Sequence, residues 1–586
     1  MMTLAEELKG RLRVAFEACG IEGAALERVG VGSATDLRFG DYQSNAAMVI
    51  AKQAKQNPRA LAEAVIEKLD VAGLAEMEIA GPGFLNFRVP PETFATRVKE
   101  MSRDERLGVS RVAVPERITL DFSAPNVAKP MHVGHIRSTI IGDSLSRIGR
   151  FLGHEVITDN HIGDWGTQFG MVIWAWKKEL NRDDLEKDPL GELLRLYRIA
   201  NEAGKADETL REACREELVK LQQGDEENHK IWTECVGYSL RGLERMYERL
   251  DVSFDHWMGE SAYNDRLQGV IDSLMEAGLA RESSGALCVF SSGEGKPEAD
   301  PFQIQKKEGW ENNPMIVRKS DGGFNYATTD LATIDFRVEK WGAKKILYVV
   351  DHRQGLHFRQ LFDVARRRGH EDVELVHVSF GTILGKDGKP LKTRSGDLPQ
   401  LEDVLNDARD AARITIEERS KLEDSGEKDD LAELIGISSV KFTELSHHRM
   451  SDYVFDLEKM VALEGDTAPY LQYSYVRVRS IFRKVEGEID LQGAAVSLTE
   501  DAEVHLARML IRFAEVLPVV LGDYRPNLLA TYLLELARAF HSFFEACPVL
   551  KAEEAQRNSR LVLCETTARV LKKGLSLLGV AVPERM

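Results

Sequence analysis

Two histidines set three residues apart offer the first chemistry in this sequence. In His132-Val133-Gly134-His135 both imidazoles fall where a strand and loop give way to a helix. A helix N-terminus carries unpaired N–H groups and a partial positive charge, so it attracts anions. Two imidazoles on that turn can reach one phosphate, and the glycine between them lets a flat base or a ribose approach the backbone. A second segment points the same way. Gly385-Lys386-Asp387-Gly388-Lys389-Pro390-Leu391-Lys392-Thr393-Arg394-Ser395-Gly396 holds four cations among glycines, directly after an expected strand. Such a loop can close over a triphosphate and stabilise charge that builds during phosphoryl chemistry. Taken singly, the first more often marks a capped surface turn and the second a solvated loop. No G-x-x-x-x-G-K-[ST] or G-x-G-x-x-G sequence is present, so P-loop and dinucleotide readings lose support.

The elements that must position these residues are legible. RITLDFS (117–123) reads as a buried strand, and a loop containing Pro125 and Pro130 follows. Ile136, Ile140, Ile141, Leu145, Ile148 and Leu152 then recur at helical spacing up to Gly153, and EVIT (155–158) is the next strand. Strand, loop, helix, strand is a βαβ unit and predicts a parallel sheet. The pattern returns with KKILYVVD (344–351), a helix at 356–369 and VELVHVSF (373–380). Between these halves, about 181–300 reads as a charged helical insertion. Residues 1–110 read as a small α+β domain, with helices at 3–19 and 44–70 and a strand pair around 76–89 that turns at Gly81, Pro82 and Gly83. Amphipathic patterns at 402–420, 429–447, 501–520, 527–545 and 557–578 predict a C-terminal helical bundle.

Composition bounds the rest. At 586 residues the chain exceeds one ordinary core, so three or four domains are expected. Hydrophobic residues at 43% and charged residues at 29% suit a soluble globular enzyme, and no apolar run is long enough to span a membrane. The opening MMTLAEELKGRLRVAF reads as an amphipathic helix, not a signal peptide. Six scattered cysteines without a C-x-x-C pair argue against structural zinc and against a disulfide scaffold, and point to a reducing cytoplasm. A net charge of −18 speaks against a nucleic-acid partner at first sight. It does not exclude one, because an acidic protein can still present a basic strip to phosphates.

Longer stretches carry a family resemblance. SAPNVAKPMHVGHIRSTIIGDSLSRIGRFLG (123–153) resembles the ATP-binding motif region of arginyl-tRNA synthetases, and so does DNHIGDWGTQFG (159–170). The resemblance extends through AGPGFLNFRV (80–89), GES (259–261), YATTDLATIDFR (326–337), YVVDHRQGLH (348–357), APYLQYSYVRVRSI (468–481) and the terminal LLGVAVPERM. It implies a multidomain α/β fold: a class I synthetase Rossmann-like parallel-sheet catalytic domain, an N-terminal α+β domain and a C-terminal α-helical bundle. The implied divisions are 1–110 for contact with the tRNA elbow and D-loop, 111–385 for catalysis, 386–455 for the signature loop and stem contact, and 456–586 for the anticodon. The implied activity joins arginine to tRNA(Arg) through arginyl-adenylate, using ATP with Mg²⁺ and no zinc, and activation awaits bound tRNA. A monomer without membrane attachment is expected.

Residue roles follow from the same resemblance. His132, Gly134 and His135 bind ATP, and Lys389, Lys392, Thr393 and Arg394 lie in the counterpart of the lysine-rich signature loop. Thr393 departs from the usual pattern, standing where the second lysine is expected; Lys129, just before the histidine motif, takes over its charge. Lys129, His132, His135 and Lys392 are the expected catalytic set. Glu260, Tyr326 and Asp330 take the guanidinium side of arginine, Asn126 and Gln354 its α-amino and carboxyl groups, and His161 and Gln168 line the pocket. For tRNA, Phe84 and Asn86 are candidates to stack on and bond a splayed base. Tyr470, Gln472, Tyr473, Arg477 and Arg479 interleave aromatic and basic residues for the anticodon. Other class I synthetases fit less well, since cysteinyl enzymes want zinc ligands and valyl, isoleucyl and leucyl enzymes want a large editing insertion. A small nucleotidyltransferase would leave about 200 helical residues unexplained, and intact Lys129, His132, His135, Glu260 and Asp330 speak against an inactive RNA-binding paralogue.

Overall fold

Ile118, Leu120 and Phe122 are buried on one strand, and so is Thr119 between them. A strand covered on both faces belongs inside a parallel sheet with helices on either side. In the computed structural model, which describes residues 2–294, 296–307, 309–392, 398–419, 422–485 and 490–586, that strand is β1 (Arg117–Phe122). It lies within a four-stranded parallel sheet ordered β4-β3-β1-β2, with β2 Glu155–Asp159, β3 Lys345–Val349 and β4 Glu374–His377. Helix α1 (Ile136–Leu152) crosses from β1 to β2 and ends at Gly153 in the left-handed region. Gly142 lets α1 sit tightly on the sheet, because a Cβ there would come within 2.2 Å of the Phe122 ring.

Helices α2 (Tyr326–Trp341) and α3 (Gly355–Arg367) pack on the sheet through Leu331, Ile334, Ile346, Leu361 and Val364. Each such buried side chain contributes about 1.5–3 kcal/mol. One contact in this layer is ionic. Asp121 and Asp159 face each other in register across β1 and β2, and the fully buried Arg337 of α2 donates to both at 2.7 Å. Two opposed carboxylates inside a core would repel, and the guanidinium between them makes the strand pairing tolerable. The chain winds from β1 outward to β2 and from β3 outward to β4 on the other side, so the loops after β1 and β3 diverge. That divergence opens a crevice at the C-terminal ends of the strands.

The sheet belongs to one of two units, Val112–Ala462 with Leu577–Val580. The helical expectation for its insertion holds through Pro189–Ala206, Glu208–Gln222 and Glu226–Arg249. From Ala280, however, the chain forms antiparallel strands, Ala280–Ser283, Ala286–Val289 and Met315–Arg318. Ser284 and Gly285 both take positive φ, the geometry of a tight hairpin, and four-residue strands give a sequence pattern too little length to show. Helices α4 (Leu401–Arg419) and α5 (Ser425–Ser446) follow as a close pair: a Cβ on Gly436 would lie 2.6 Å from the Arg409 backbone nitrogen. Arg137 of α1 reaches Glu444 of α5 in a buried pair, and the Tyr453 hydroxyl donates to the same carboxylate at 2.9 Å.

The other unit comprises Met1–Arg111, Leu463–Ser576 and Ala581–Met586. The expected strand pair is present as Glu76–Ala80 and Phe84–Arg88, in a four-stranded antiparallel sheet. The helical pattern over 44–70 resolves into Ala46–Ala54 and Pro58–Ile66, because Pro58 lacks an N–H and the Asn57 side chain caps a new helix start. Ala468–Phe482, Asp501–Ile511, Phe513–Asp523, Asn527–Ala546 and Glu554–Leu577 form the helical remainder. No helix among the described residues is long and apolar enough to cross a membrane.

Candidate functional site

The histidine motif occupies the loop after β1 and the turn that starts α1. His132 Nδ1 accepts the Gly134 N–H at 3.1 Å, and His135 Nδ1 accepts the His132 N–H at 3.1 Å. The His132 carbonyl is farther from His135 Nδ1, at 3.3 Å, so the shorter contact sets the tautomer. With both Nδ1 atoms accepting, each neutral ring carries its proton on Nε2 and presents one N–H donor. The rings lie 3.9 Å apart. Burial drives the His135 pKa down to about 3 and lowers that of His132, with Lys129 adding to the second shift. Gly134 is required here for a local reason, since a Cβ would come within 2.9 Å of the His132 ring.

The loop that carries the motif is held in a costly shape. Ser123, Ala124 and Ala128 all have positive φ, at 75°, 45° and 61°. Such conformations cost about 1–2 kcal/mol per non-glycine residue and persist only where neighbours enforce them. Asn160 Oδ1 accepts the Ala124 N–H, Ser239 Oγ accepts the Ala128 N–H, and the buried Tyr247 hydroxyl bonds both Ser123 and Asn160. Ser239 and Tyr247 lie on helix Glu226–Arg249, so the insertion helps to shape the motif loop. The Lys129 ammonium sits 3.9 Å above the ring of Tyr197, on helix Pro189–Ala206.

The loop after β2 gathers the second group of residues. Gly163 pairs with Asn126, and a Cβ on Gly163 would strike Asn126 Oδ1 at 2.2 Å. Gln168 Nε2 donates to the Gly163 carbonyl at 3.1 Å. The Glu260 N–H bonds the Ile162 carbonyl at 3.1 Å, His161 Nδ1 lies 3.0 Å from the Met258 carbonyl, and Ser261 bonds the Asp164 carboxylate through both N–H and Oγ. Two motifs nearly a hundred residues apart thus form one wall. Burial pushes the Glu260 carboxyl up to about 7; His161 opposes this, and Asp330 and Asp164 reinforce it. Trp165 packs edge-on against Trp232 at 5.5 Å.

The third wall descends from α2 and α3. Asp330 accepts from His357 Nε2 at 2.6 Å. Tyr326, at the start of α2, has its hydroxyl pKa raised by burial and then by Glu260 and Asp330, which brings the three groups of the expected guanidinium side into one electrostatic neighbourhood. Tyr326 is nonetheless 60% exposed. Gln354 is exposed in the turn before α3. Ser138 Oγ donates to the Val349 carbonyl at 2.6 Å, tying the first turn of α1 to the end of β3. The histidine turn follows β1, the Glu260 wall is bonded to the loop after β2, and the Asp330 wall is tied to the helix that follows β3, so all three belong to the C-terminal ends of the strands.

The basic loop begins as a hairpin. The Leu391 N–H bonds the Ile383 carbonyl at 3.0 Å, and Lys389 and Lys392 are exposed. The expectations on Thr393 and Arg394 fall outside the described residues. Beyond them the Val133 N–H bonds the Pro399 carbonyl and the Leu401 N–H bonds the Met131 carbonyl, both at 2.9 Å, so the far side of the loop is anchored on the histidine motif itself.

Burial sets two of the residues expected to contact nucleic acid apart from the others. Asn86 is 1% exposed and already accepts from Gln43 at 2.8 Å, while Phe84 beside it stays partly open. Gln472 is fully buried and donates to the Ala581 carbonyl at 2.7 Å. Close by, Tyr42 donates to Glu515 at 2.8 Å and Gln43 to Asn86 at 2.8 Å. Tyr473 is 49% exposed, Tyr470 is half-buried, Arg477 stacks over Phe544 and Arg479 pairs with Glu565. His357, the last residue of YVVDHRQGLH, is not among the expected site residues; a histidine on the inner face of an amphipathic helix is the signal the sequence offers for it.

Comparison with known proteins adds independent findings. The family model for tRNA synthetases class I (R), catalytic domain, matches residues 98–457. Those for the arginyl tRNA synthetase N terminal domain and the DALR anticodon binding domain match 3–89 and 471–586. An arginine–tRNA ligase of a Picosynechococcus strain is 46% identical over 94% of each chain, and one of Nostoc punctiforme is 44% identical over 99% of each. Among solved structures, the arginyl-tRNA synthetase of Thermus thermophilus superposes with a TM-score of 0.82 at 25% identity, and that of Plasmodium falciparum with 0.80 at 27%, each over 100% of both chains.

Proposed function

Because this chain belongs to the arginyl-tRNA synthetase family, we propose that the crevice at the strand ends is where arginine and ATP meet for ligation to tRNA. The enzyme is an arginine–tRNA ligase of class I. In our reading the triphosphate lies along the start of α1, where His132 and His135 each offer an Nε2–H to phosphate oxygens and Lys129 and Lys392 supply positive charge. Thr393 and Arg394 would add to that charge from the same loop. Imidazole N–H and ammonium donors suit phosphate oxygens and not a cation, so Mg²⁺ would arrive with ATP, held by the phosphates. Glu260, Asp330 and Tyr326 would take the guanidinium, with Asn126 and Gln354 at the amino-acid end and His161 and Gln168 lining the pocket.

The arginine carboxylate then attacks the α-phosphate in line, pyrophosphate leaves, and the terminal ribose of tRNA accepts the arginyl group from the adenylate. No covalent enzyme intermediate is required, and positioning plus charge stabilisation carry the rate. Phe84, Tyr470, Tyr473, Arg477 and Arg479 remain our candidates for tRNA contact. One observation supports the reading above the others: carboxylates suited to a guanidinium and histidines suited to phosphate both stand at the C-terminal ends of the sheet strands. Pyrophosphate exchange with each of the twenty amino acids, run with and without tRNA, tests it. Exchange is expected with arginine alone among them, and only when tRNA is present; full exchange without tRNA would remove the dependence on tRNA from the proposal.

A further inference from the structure

His357 has no part in the roles assigned so far, yet it holds the carboxylate on which arginine recognition depends. Its Nε2 lies 2.6 Å from Asp330 Oδ2, and both side chains are about three-quarters shielded, at 28% and 26% exposed. An ionised carboxylate only accepts, so Nε2 must be the donor. The contact joins α3 to α2, and Phe358, next to His357, is clamped between Tyr348 and His377, which fixes this turn of α3 against the sheet. The bond occupies Oδ2 and leaves Oδ1 as an acceptor.

We propose that His357 is a positioning residue for arginine: it aims Asp330 into the crevice while the site is empty, and yields its positive charge when the guanidinium arrives. The inference rests on the assignment of Asp330 to the guanidinium. Without a cation beside it, Asp330 would stand near Glu260, a second carboxylate, with only repulsion to orient it. The groups facing this pair are Glu260 from the turn after Gly259, Tyr326 from the start of α2 and Tyr348 from β3; His161 and Asp164 stand behind Glu260. Burial lowers the His357 pKa, but its bond and attraction to Asp330 outweigh that and raise it overall, which favours a protonated His357 in the place of a cation while the site is empty. A bound guanidinium on the same carboxylate repels that proton. Arginine binding then releases a proton from His357 as well as one from Glu260, and both effects make binding tighter as pH rises.

Three variants test this with aminoacylation in the presence of tRNA. His357→Leu removes the donor and is expected to raise KM for arginine roughly tenfold or more, with KM for ATP unchanged. His357→Gln keeps an uncharged donor and is expected to restore most of the arginine KM near pH 8. The fall of log KM for arginine with rising pH should be steeper in the native enzyme than in His357→Gln, where the remaining limb is that of Glu260. An arginine KM within twofold of native in His357→Leu, or an unaltered slope in His357→Gln, overturns the proposal. Asp330→Asn separates the two levels of inference. If it raises the arginine KM while the His357 variants do not, only the role of His357 fails; if it leaves the KM unchanged, the assignment of Asp330 fails first.

Discussion

At the histidine turn burial drives basic groups toward neutrality, with His135 down to about 3; across the crevice burial drives an acid the same way, with Glu260 up to about 7. The physical cause is shared, but the consequences differ. His135 stays neutral throughout the range in which the enzyme can work, so the phosphate end offers fixed N–H dipoles whose strength does not depend on pH. Glu260 lies near its midpoint, so the guanidinium end acquires its full charge only with its ligand. One end of the site is organised in advance, and the other is completed by the substrate.

The largest test of this difference falls on the fixed end. His132→Ala combined with His135→Ala should lower aminoacylation about a thousandfold or more, because each lost donor to a developing phosphate charge is worth about 10²–10³ in rate. Binding of tRNA, measured by filter retention or fluorescence, should persist. Loss of tRNA binding together with activity would instead mark the histidines as structural.

Next in size is the support beneath both ends. Arg337→Leu leaves Asp121 and Asp159 opposed and unpaired in the core, and is expected to cost about 3–5 kcal/mol of unfolding free energy. If the two ends share this foundation, the KM for ATP and the KM for arginine should rise together in whatever folded enzyme remains. A rise in one alone would show that the two walls of the crevice are set independently.

How much of this could be read beforehand depended on range along the chain. The His132 turn was legible because its strand, loop and helix are consecutive, and periodicity reports consecutive elements well. The carboxylate wall was not. Asp330 and His357 look like ordinary polar residues on two helices, and only the resemblance pointed to Asp330. Arg337 was invisible for the same reason: a charge on a helix reads as solvated until the opposed aspartates are known. The tRNA candidates show the converse case. On helix Ala468–Phe482 the residues Tyr470, Tyr473 and Arg477 share one face, whereas Gln472 falls with Tyr475 and Val476 on the buried one. Sorting by the 3.6-residue period would have set Gln472 aside before any coordinates.

The contrast in pH behaviour is smaller but sharper. Native enzyme should show an arginine KM that falls as pH rises through about 7, since the guanidinium selects ionised Glu260 and its binding releases the proton held below that pH. The KM for ATP should show no limb from His135 above pH 5, because that ring has already lost its charge. Glu260→Gln should raise the arginine KM roughly tenfold to a hundredfold, the value of a hydrogen bond to a charged group, and should remove the Glu260 limb from its pH dependence, leaving that of His357. A flat native profile would place the ionisation of Glu260 elsewhere and end the comparison.

The smallest effect expected concerns Lys129, the charge that must serve the fixed end from a strained loop. Its ammonium rests on the Tyr197 ring at 3.9 Å, and a cation over an aromatic face at a partly exposed site gains about 0.5–1 kcal/mol. A flexible lysine stem would otherwise sample many rotamers, so the ring acts chiefly by narrowing where the charge can be. Tyr197→Leu should therefore raise the KM for ATP about twofold to fivefold, and Tyr197→Phe, which keeps the ring, should not. The arginine KM should stay unchanged in both, because Tyr197 lies on the insertion and has no contact with the carboxylate wall among those described. If Tyr197→Leu changed the arginine KM instead, the division between a fixed phosphate end and a substrate-completed guanidinium end would have to be redrawn through the insertion.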